Sequence, residues 1–394
     1  MSARYAVLIA CAIPAIYYVL AIFSTLRYFR QSRRATKPEP SSFTPPISNL
    51  KPVRGLDPNA YENFASFCRQ DYPEYELLFC TTDQTDPAVP VIQKLMRDFP
   101  DKKIRLLYSA GYQAINDKVA KLNVMTREAA NDVLVINDSD VHVAPDYFRK
   151  VVEPLQNAKN GGVTCFYVSK NEPSFVDRLQ SVGMLSDFYA GILVAWQLDG
   201  VQFALGPTMV STKERIRGFG GFAALENRPA DDLLFGRLIA EQGYNVVLLP
   251  YAVETVADFK GMGELIAKRL RWMTVMRNLR PWGHFGLLFT WGLPWACLAV
   301  ALHPTAAVAL GYWGVYAAMR AAMTWLVAGW GLRQAGILTK LLLIPIWDAF
   351  AFLIWLASFT RSSIRWRGTT YQMRDGHFVS AVDTRTSEIS ARND

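Results

Sequence analysis

Apolar residues fall into two kinds of run along this chain. The long kind begins at residues 5–23, almost free of charge, and returns after His284 at about 285–302, 305–328 and 337–359. Such runs are long enough to cross a hydrocarbon core of roughly 30 Å as helices. The C-terminal region also carries Trp291, Trp295, Trp313, Trp325, Trp330, Trp347 and Trp355, side chains suited to anchoring at a membrane interface. The short kind lies between the long ones. Residues 47–53, 75–80, 104–108 and 133–137 read as strands, and 59–68, 89–98 and 118–130 have helical spacing. Strands and helices taking turns at this interval predict an α/β fold, Rossmann-like, with a mostly parallel sheet covered on both faces. The expected organisation is a transmembrane anchor at 1–27, a linker at 28–46 and an α/β domain at 47–280. C-terminal transmembrane or interfacial helices at 281–360 and a polar tail at 361–394 complete it.

Charge adds an orientation. The apolar core at 5–23 is longer than that of a signal peptide and lacks a clear small-x-small cleavage site, so a retained anchor is expected. Arg27, Arg30, Arg33, Arg34 and Lys37 follow it, which places the α/β domain on the cytoplasmic face. Lys268, Arg269, Arg271, Arg277 and Arg280 flank the next span on the same side. Three full crossings beyond that point would put Arg361, Arg365 and Arg367 outside, against the same rule. Either one C-terminal segment is re-entrant or interfacial, or the rule fails here. The reading is an integral, multi-pass protein, and the compact chain with short loops suits a bacterial inner membrane. The net charge of +8 could suggest nucleic acid. The basic residues crowd beside the spans, where anionic lipid attracts them, and no nucleic-acid-binding motif is present. Five scattered cysteines and four distant histidines give neither a disulfide framework nor zinc spacing.

The chemistry gathers at strand ends. Asp138-Ser139-Asp140 follows the apolar run 132–137, and ligands of open α/β sheets collect at the carboxyl ends of strands. Two carboxylates one residue apart can hold a hard divalent cation, Mg²⁺ or Mn²⁺, and leave positions for phosphate oxygens and water. The plain alternative is a solvated acidic turn. Asp83 and Asp86 follow the second strand and reach the same rim. Asp231 and Asp232 open a helix running to about residue 242. One acid there serves the helix dipole. A second exceeds that need and is suited to take a proton from an acceptor hydroxyl. At 268–272, Lys268 and Arg269 read equally well as a juxtamembrane basic cluster. The Arg271 fork suits a diphosphate leaving group, and the Trp272 indole offers a flat face to a sugar or lipid. No glycine-rich dinucleotide fingerprint or P-loop follows the first strand, which disfavours hydride transfer and P-loop chemistry. Gly220-Gly221 reads as a turn. Residues 182–198, apolar but for Ser186, Asp187 and Gln197, suit either a helix at the membrane surface framing a lipid entrance or a buried core helix.

Taken together, the stretches 50–59 (LKPVRGLDPN), 70–73 (QDYP), 82–88 (TDQTDPA), 138–140 (DSD), 230–232 (ADD) and 268–272 (KRLRW) resemble the ceramide glucosyltransferase family. These are membrane-bound inverting glycosyltransferases of the GT-A fold, and the resemblance covers roughly residues 47–280. Lys268 departs from the family motif, which has Gln or Arg there; the charge is kept and the planar fork lost. The resemblance implies transfer of a hexose from a UDP-sugar, UDP-glucose foremost, to the hydroxyl of a ceramide-type lipid. Asp138 and Asp140 would hold the metal and Asp232 would be the general base. Pro52, Arg54, Asp83, Asp86, Lys118, Asp138, Arg271 and Trp272 would bind the nucleotide sugar, with Asp231 and Lys268 on the acceptor side. Bacterial hopanoid-associated relatives resemble the chain as well and imply a polyol-bearing hopanoid acceptor with UDP-N-acetylglucosamine as donor. A processive polysaccharide synthase shares the motif types but would need more spans. A reading of another class, a non-catalytic lipid-binding or transport protein, finds little support in spans without a run of buried charge.

Overall fold

The computed structural model describes residues 3–35, 42–112, 114–361, 363–366, 369–374 and 377–380. Part of the expected linker (36–41) and the end of the expected tail (381–394) lie outside them. The chain forms two compact units. One comprises residues 36–171 and 201–258, the other 1–35, 172–200 and 259–394.

The first unit is built on an eight-stranded sheet. Its strands are β1 (Ile47–Pro52), β2 (Tyr75–Thr81), β3 (Lys103–Tyr108), β4 (Val133–Ile136), β5 (Val141–His142), β6 (Asn160–Ser169), β7 (Met209–Thr212) and β8 (Asn245–Thr255), in the order β3-β2-β1-β4-β7-β6-β8-β5. β3, β2, β1 and β4 run parallel, β7 is antiparallel to both its neighbours, and β6 pairs parallel with β8. The mostly parallel sheet expected from the alternation is present, with one reversed strand at its centre.

Every residue of β1, β2 and β4 is buried. Because successive side chains point to opposite faces, each strand feeds two cores. Ile47, Leu77, Phe79, Val133 and Val135 pack with Phe64, Phe67 and Ile92 on one face. Leu50, Leu78, Leu134 and Ile136 pack with Val119, Leu122, Phe222 and Phe235 on the other. Polar residues in β1 are buried just as fully: Ser48, Asn49 and Lys51 have no exposed surface. Each has a partner. Ser48 donates to Glu76, and Asn49 donates to Val135 O (2.9 Å) and to Asn137 Oδ1 (2.8 Å). Lys51 donates to Asp138 O (3.0 Å) and lies 3.8 Å from the Phe67 ring centroid.

The second unit is helical. Ala3–Cys11 and Ile13–Ala35 lead it, and the run Tyr5–Arg34 is long and apolar enough to cross a membrane. The helix thus continues through the arginines into the stretch read as linker. Ile337–Ser358 passes the same test, and Pro281–Phe289 with Gly292–Leu302 would make a third span bent by 49°. The segment expected to cross at 305–328 is a helix over Ala306–Thr324 ending in a π-helical turn, Trp325–Gly331. Among the described residues it is not one of the helices apolar enough to span. It carries a buried cation: Arg320 ion-pairs with Asp348 of the Ile337–Ser358 run, and Tyr316 donates to the same carboxylate at 2.8 Å. Arg320 also donates to Ser186 O. Residues 182–194 are mostly enclosed within the helical unit, while Leu198 at the far end is exposed. They continue Phe175–Gly183 through a π-helical turn (Met184–Phe188) into Tyr189–Asp199, with Leu185, Ser186, Tyr189, Ala190 and Leu193 enclosed. Residues 363–380 include a small three-stranded antiparallel sheet.

Candidate active site

The carboxyl ends of β1, β2 and β4 set out the site residues. After β2, the loop 82–88 folds around Asp86, whose carboxylate accepts from Gly55 N (2.9 Å) and Ala88 N (2.9 Å). Asp86 therefore ties the turn after β1 to the start of helix Val89–Asp98. Asp83 accepts from the backbone and hydroxyl of Thr85, and those hydrogen bonds lower its carboxyl below the usual range. Arg54 lies 3.9 Å from Asp117. Arg54, Thr82, Asp83, Thr85, Asp86, Pro87 and Asp117 line an open cavity of about 380 Å³. Pro52 is buried at the end of β1, in register with Cys80, and is not part of that lining.

A second cluster forms on the turn after β4. Lys118, in the first turn of helix Asp117–Glu128, places Nζ 2.7 Å from Asp138 Oδ1 and 3.4 Å from Asp231 Oδ2. Burial works against the Lys118 ammonium, but Asp138 and Asp231 outweigh it and hold the lysine protonated well above its usual range. Asn116 fixes both sides of this contact. Its side-chain oxygen caps the helix by accepting from Lys118 N and Val119 N, and its amide donates to Asp231 Oδ1 at 3.3 Å.

Asp231 and Asp232 are the first residues of helix Asp231–Glu241, and Ala230 before them sits at φ 57°, ψ 61°. A left-handed alanine is a strained joint held by its surroundings, of the kind that gathers at functional sites. The helix is seated by Gly236, where a Cβ would lie 2.1 Å from the backbone carbonyl carbon of Phe203. Burial raises the Asp232 carboxyl to about 6, Asp231 pushing the same way and Lys118 opposing. Gly206 lies where these groups meet: a Cβ there would be 3.3 Å from Asp138 Oδ2, 3.3 Å from Asp232 Oδ2 and 3.7 Å from Lys118 Nζ. One glycine therefore borders the strand-end acid, the helix-start acid and the lysine.

Beneath the Asp138 turn, Lys51 is drawn down to about 7 by burial, against the pull of Asp140, Asp138 and Asp57. Ser139 donates to Asp57, and Asn63 donates to Asp140 O at 3.4 Å. Lys51, Asp57, Asn116, Asp117 and Gly206 did not stand out in the sequence. For Lys51 the available signal was its place, with Asn49, inside a strand otherwise read as buried, which demands partners. Among the described residues, no group of three or more His, Cys, Asp or Glu is arranged to hold a metal ion. The carboxylates of Asp138 and Asp140 are hard oxygen donors, of the chemical kind that a divalent cation takes.

Lys268, Arg271 and Trp272 belong to helix Met262–Leu279 of the helical unit. Lys268 lies over Phe259 (5.0 Å) and Trp272 (5.4 Å), and Trp272 meets Phe188 at 6.0 Å. Arg269 is the buried member of this stretch. It donates to Gln180 Oε1 at 2.9 Å and sits 4.5 Å from the Trp347 ring centroid.

The fold is that of a GT-A glycosyltransferase. It is similar to a solved mannosyltransferase, PcManGT from Pyrobaculum calidifontis in complex with GDP-Man and Mn²⁺, with a TM-score of 0.54, 19% identity, and 86% of this chain and 99% of that one covered. The chain belongs to glycosyl transferase family 21, whose pattern matches residues 7–379. Among curated proteins it is 23% identical over 314 residues to ceramide glucosyltransferase 1 of Caenorhabditis elegans, covering 77% of this chain and 66% of that protein. It is 32% identical over 154 residues to the ceramide glucosyltransferase of Gibberella zeae, covering 36% of this chain and 28% of that protein. The chain thus spans about two thirds or less of the lengths of these relatives.

Proposed function

We propose that this protein transfers a hexose from a UDP-sugar, UDP-glucose in the first instance, to the primary hydroxyl of a ceramide-type lipid with inversion at the anomeric carbon. The observation that carries this is the meeting of Asp138, Asp232 and Lys118 at Gly206. The similarity to ceramide glucosyltransferases supports the choice of acceptor and sugar.

In this reading the cavity lined by Arg54, Asp83, Asp86 and Asp117 takes the nucleoside end of the donor. Asp138 and Asp140 would hold Mg²⁺ or Mn²⁺, whose charge would offset that developing on the departing diphosphate. Asp232 takes the proton of the acceptor hydroxyl. Its raised carboxyl makes it a stronger base than an exposed aspartate yet leaves it ionised near neutral pH. Asp231, held by Asn116 and Lys118, keeps the start of the helix in place.

The protein is held in a membrane by Tyr5–Arg34, the bent pair and Ile337–Ser358. With the bent pair counted as one span, two crossings follow residue 280, which would leave Arg361 on the same side of the membrane as Arg27–Arg34, in keeping with the positive-inside rule.

The test is turnover of UDP-glucose by the full chain in detergent with Mn²⁺, offering ceramide, diacylglycerol and bacteriohopanetetrol and identifying products by mass spectrometry. Glucosylceramide should form with wild type and be lost in Asp232→Asn and Asp140→Ala. Product on bacteriohopanetetrol from UDP-N-acetylglucosamine alone would transfer the assignment to a hopanoid acceptor. Turnover unchanged by both substitutions would remove the catalytic reading.

A further inference from the structure

Lys118 is placed against its own helix. In the first turn of Asp117–Glu128 an ammonium meets the positive end of the helix dipole, where an acid is the favoured charge. Local helix stability therefore does not account for a cation at this position. What holds it is a set of carboxylates brought from two other parts of the chain, the turn after β4 and the start of helix Asp231–Glu241. Asp138 Oδ1 lies at 2.7 Å and Asp231 Oδ2 at 3.4 Å, and Asp232 completes the negative field. The side chain is largely withdrawn from solvent, 17% exposed, so the contact is screened less than a surface pair.

A divalent cation on Asp138 meets this arrangement directly. One oxygen of that carboxylate, Oδ1, already carries the ammonium, and two positive charges within a few ångströms of one carboxylate repel strongly in a partly buried site. We propose that Lys118 and the divalent cation are alternative occupants of Asp138. The lysine keeps the cation's hold on the protein alone weak, and it yields Asp138 when a diphosphate arrives to receive the displaced ammonium. Asp231 is the second anchor that keeps Lys118 in the site after it has left Asp138. This rests on the reading of Asp138 as a metal-binding residue given above. It adds that the cation is retained chiefly in company with the donor and leaves with the diphosphate.

The test is Mn²⁺ binding to the full chain in detergent without nucleotide, followed by the electron paramagnetic resonance signal of free Mn²⁺. Lys118→Gln and Lys118→Met, both checked for folding by thermal melts, should bind Mn²⁺ about tenfold more tightly than wild type, because a competing charge has gone. Lys118→Arg keeps the charge and should bind as weakly as wild type. Adding UDP should narrow the gap between wild type and Lys118→Gln. If Asp138→Asn abolishes binding while Lys118→Gln and Lys118→Met bind no more tightly than wild type, the competition is overturned and the metal site stands. If Asp138→Asn binds as wild type does, the metal assignment falls and the competition with it.

Discussion

Gly206 offers the sharpest perturbation of the site. Replacing it by alanine adds one methyl group, 3.3 Å from a carboxylate oxygen on either side and 3.7 Å from the lysine ammonium. The two oxygen contacts are closer than ordinary van der Waals separation, so Asp138 and Asp232 must each give by a few tenths of an ångström. Misplacing a catalytic group by 1 Å can cost about 100-fold, which puts a displacement of roughly a third of that near 5-fold. The methyl also occupies space beside the reacting groups, so a fall in kcat of about 5- to 30-fold is expected. Stability should move the other way or not at all. Gly206 does not occupy the left-handed region, and removing a glycine's freedom from the unfolded chain contributes about 0.4–1 kcal/mol to the folded state, offsetting the crowding. The assay is kcat and KM for UDP-glucose alongside a thermal melt of the same preparation. Wild-type kcat in Gly206→Ala would refute the placing of Asp138 and Asp232 around a reaction centre. So would a loss of activity matched by a loss of folded protein.

Asp232→Asn should lower kcat by about 10²- to 10⁴-fold with little change in KM for the donor, read by steady-state kinetics. Because a base works only when ionised and burial raises Asp232 to about 6, kcat/KM should fall as pH drops through that value. Asp231→Asn should move the limb to lower pH by removing a neighbouring negative charge, and a limb that stays in place would count against Asp232 as its source. Arg320→Met should destabilise the protein by about 3–5 kcal/mol, because it leaves Asp348 buried without its cation. Arg320→Met with Asp348→Leu should recover most of that loss in a melt in detergent. Asn116→Ala should cost about 1 kcal/mol as a lost helix cap. It should also reduce kcat, since Asp231 loses its amide donor.

Much of this could be read from the sequence because the elements concerned are governed by local rules. The buried strands announce themselves as aliphatic runs, and helix Val89–Asp98 falls on the predicted residues. Asp138 and Asp140 are visible because they directly follow such a strand. Other features depend on which strands become neighbours, and no local pattern encodes that. The reversal of β7 between β4 and β6 brings Gly206 to Asp138, and Lys51 meets the Asp138 carbonyl only because β1 pairs with β4. The structural part played by Asp86 is hidden for a related reason. An aspartate in a polar turn looks available to a ligand, yet both its oxygens accept backbone hydrogen bonds. The run 305–328 is apolar in character, but the partner that its Arg320 requires, Asp348, comes from another helix that no local pattern names.

The way the chain is threaded through its two units bears on how the protein can be dissected. Residues 172–200 interrupt the sheet-bearing unit but are native to the helical one, where Trp196 meets Tyr28 at 5.1 Å and Gln197 accepts from Arg27 at 3.3 Å. Trimming both ends would therefore leave an apolar helix stripped of its companions, prone to stick to other molecules. A water-soluble fragment would have to join residue 171 to residue 201 through a short polar bridge. Ribosomal synthesis faces the mirror image of the same constraint, since the first helix waits for partners that emerge only after most of the sheet has been made.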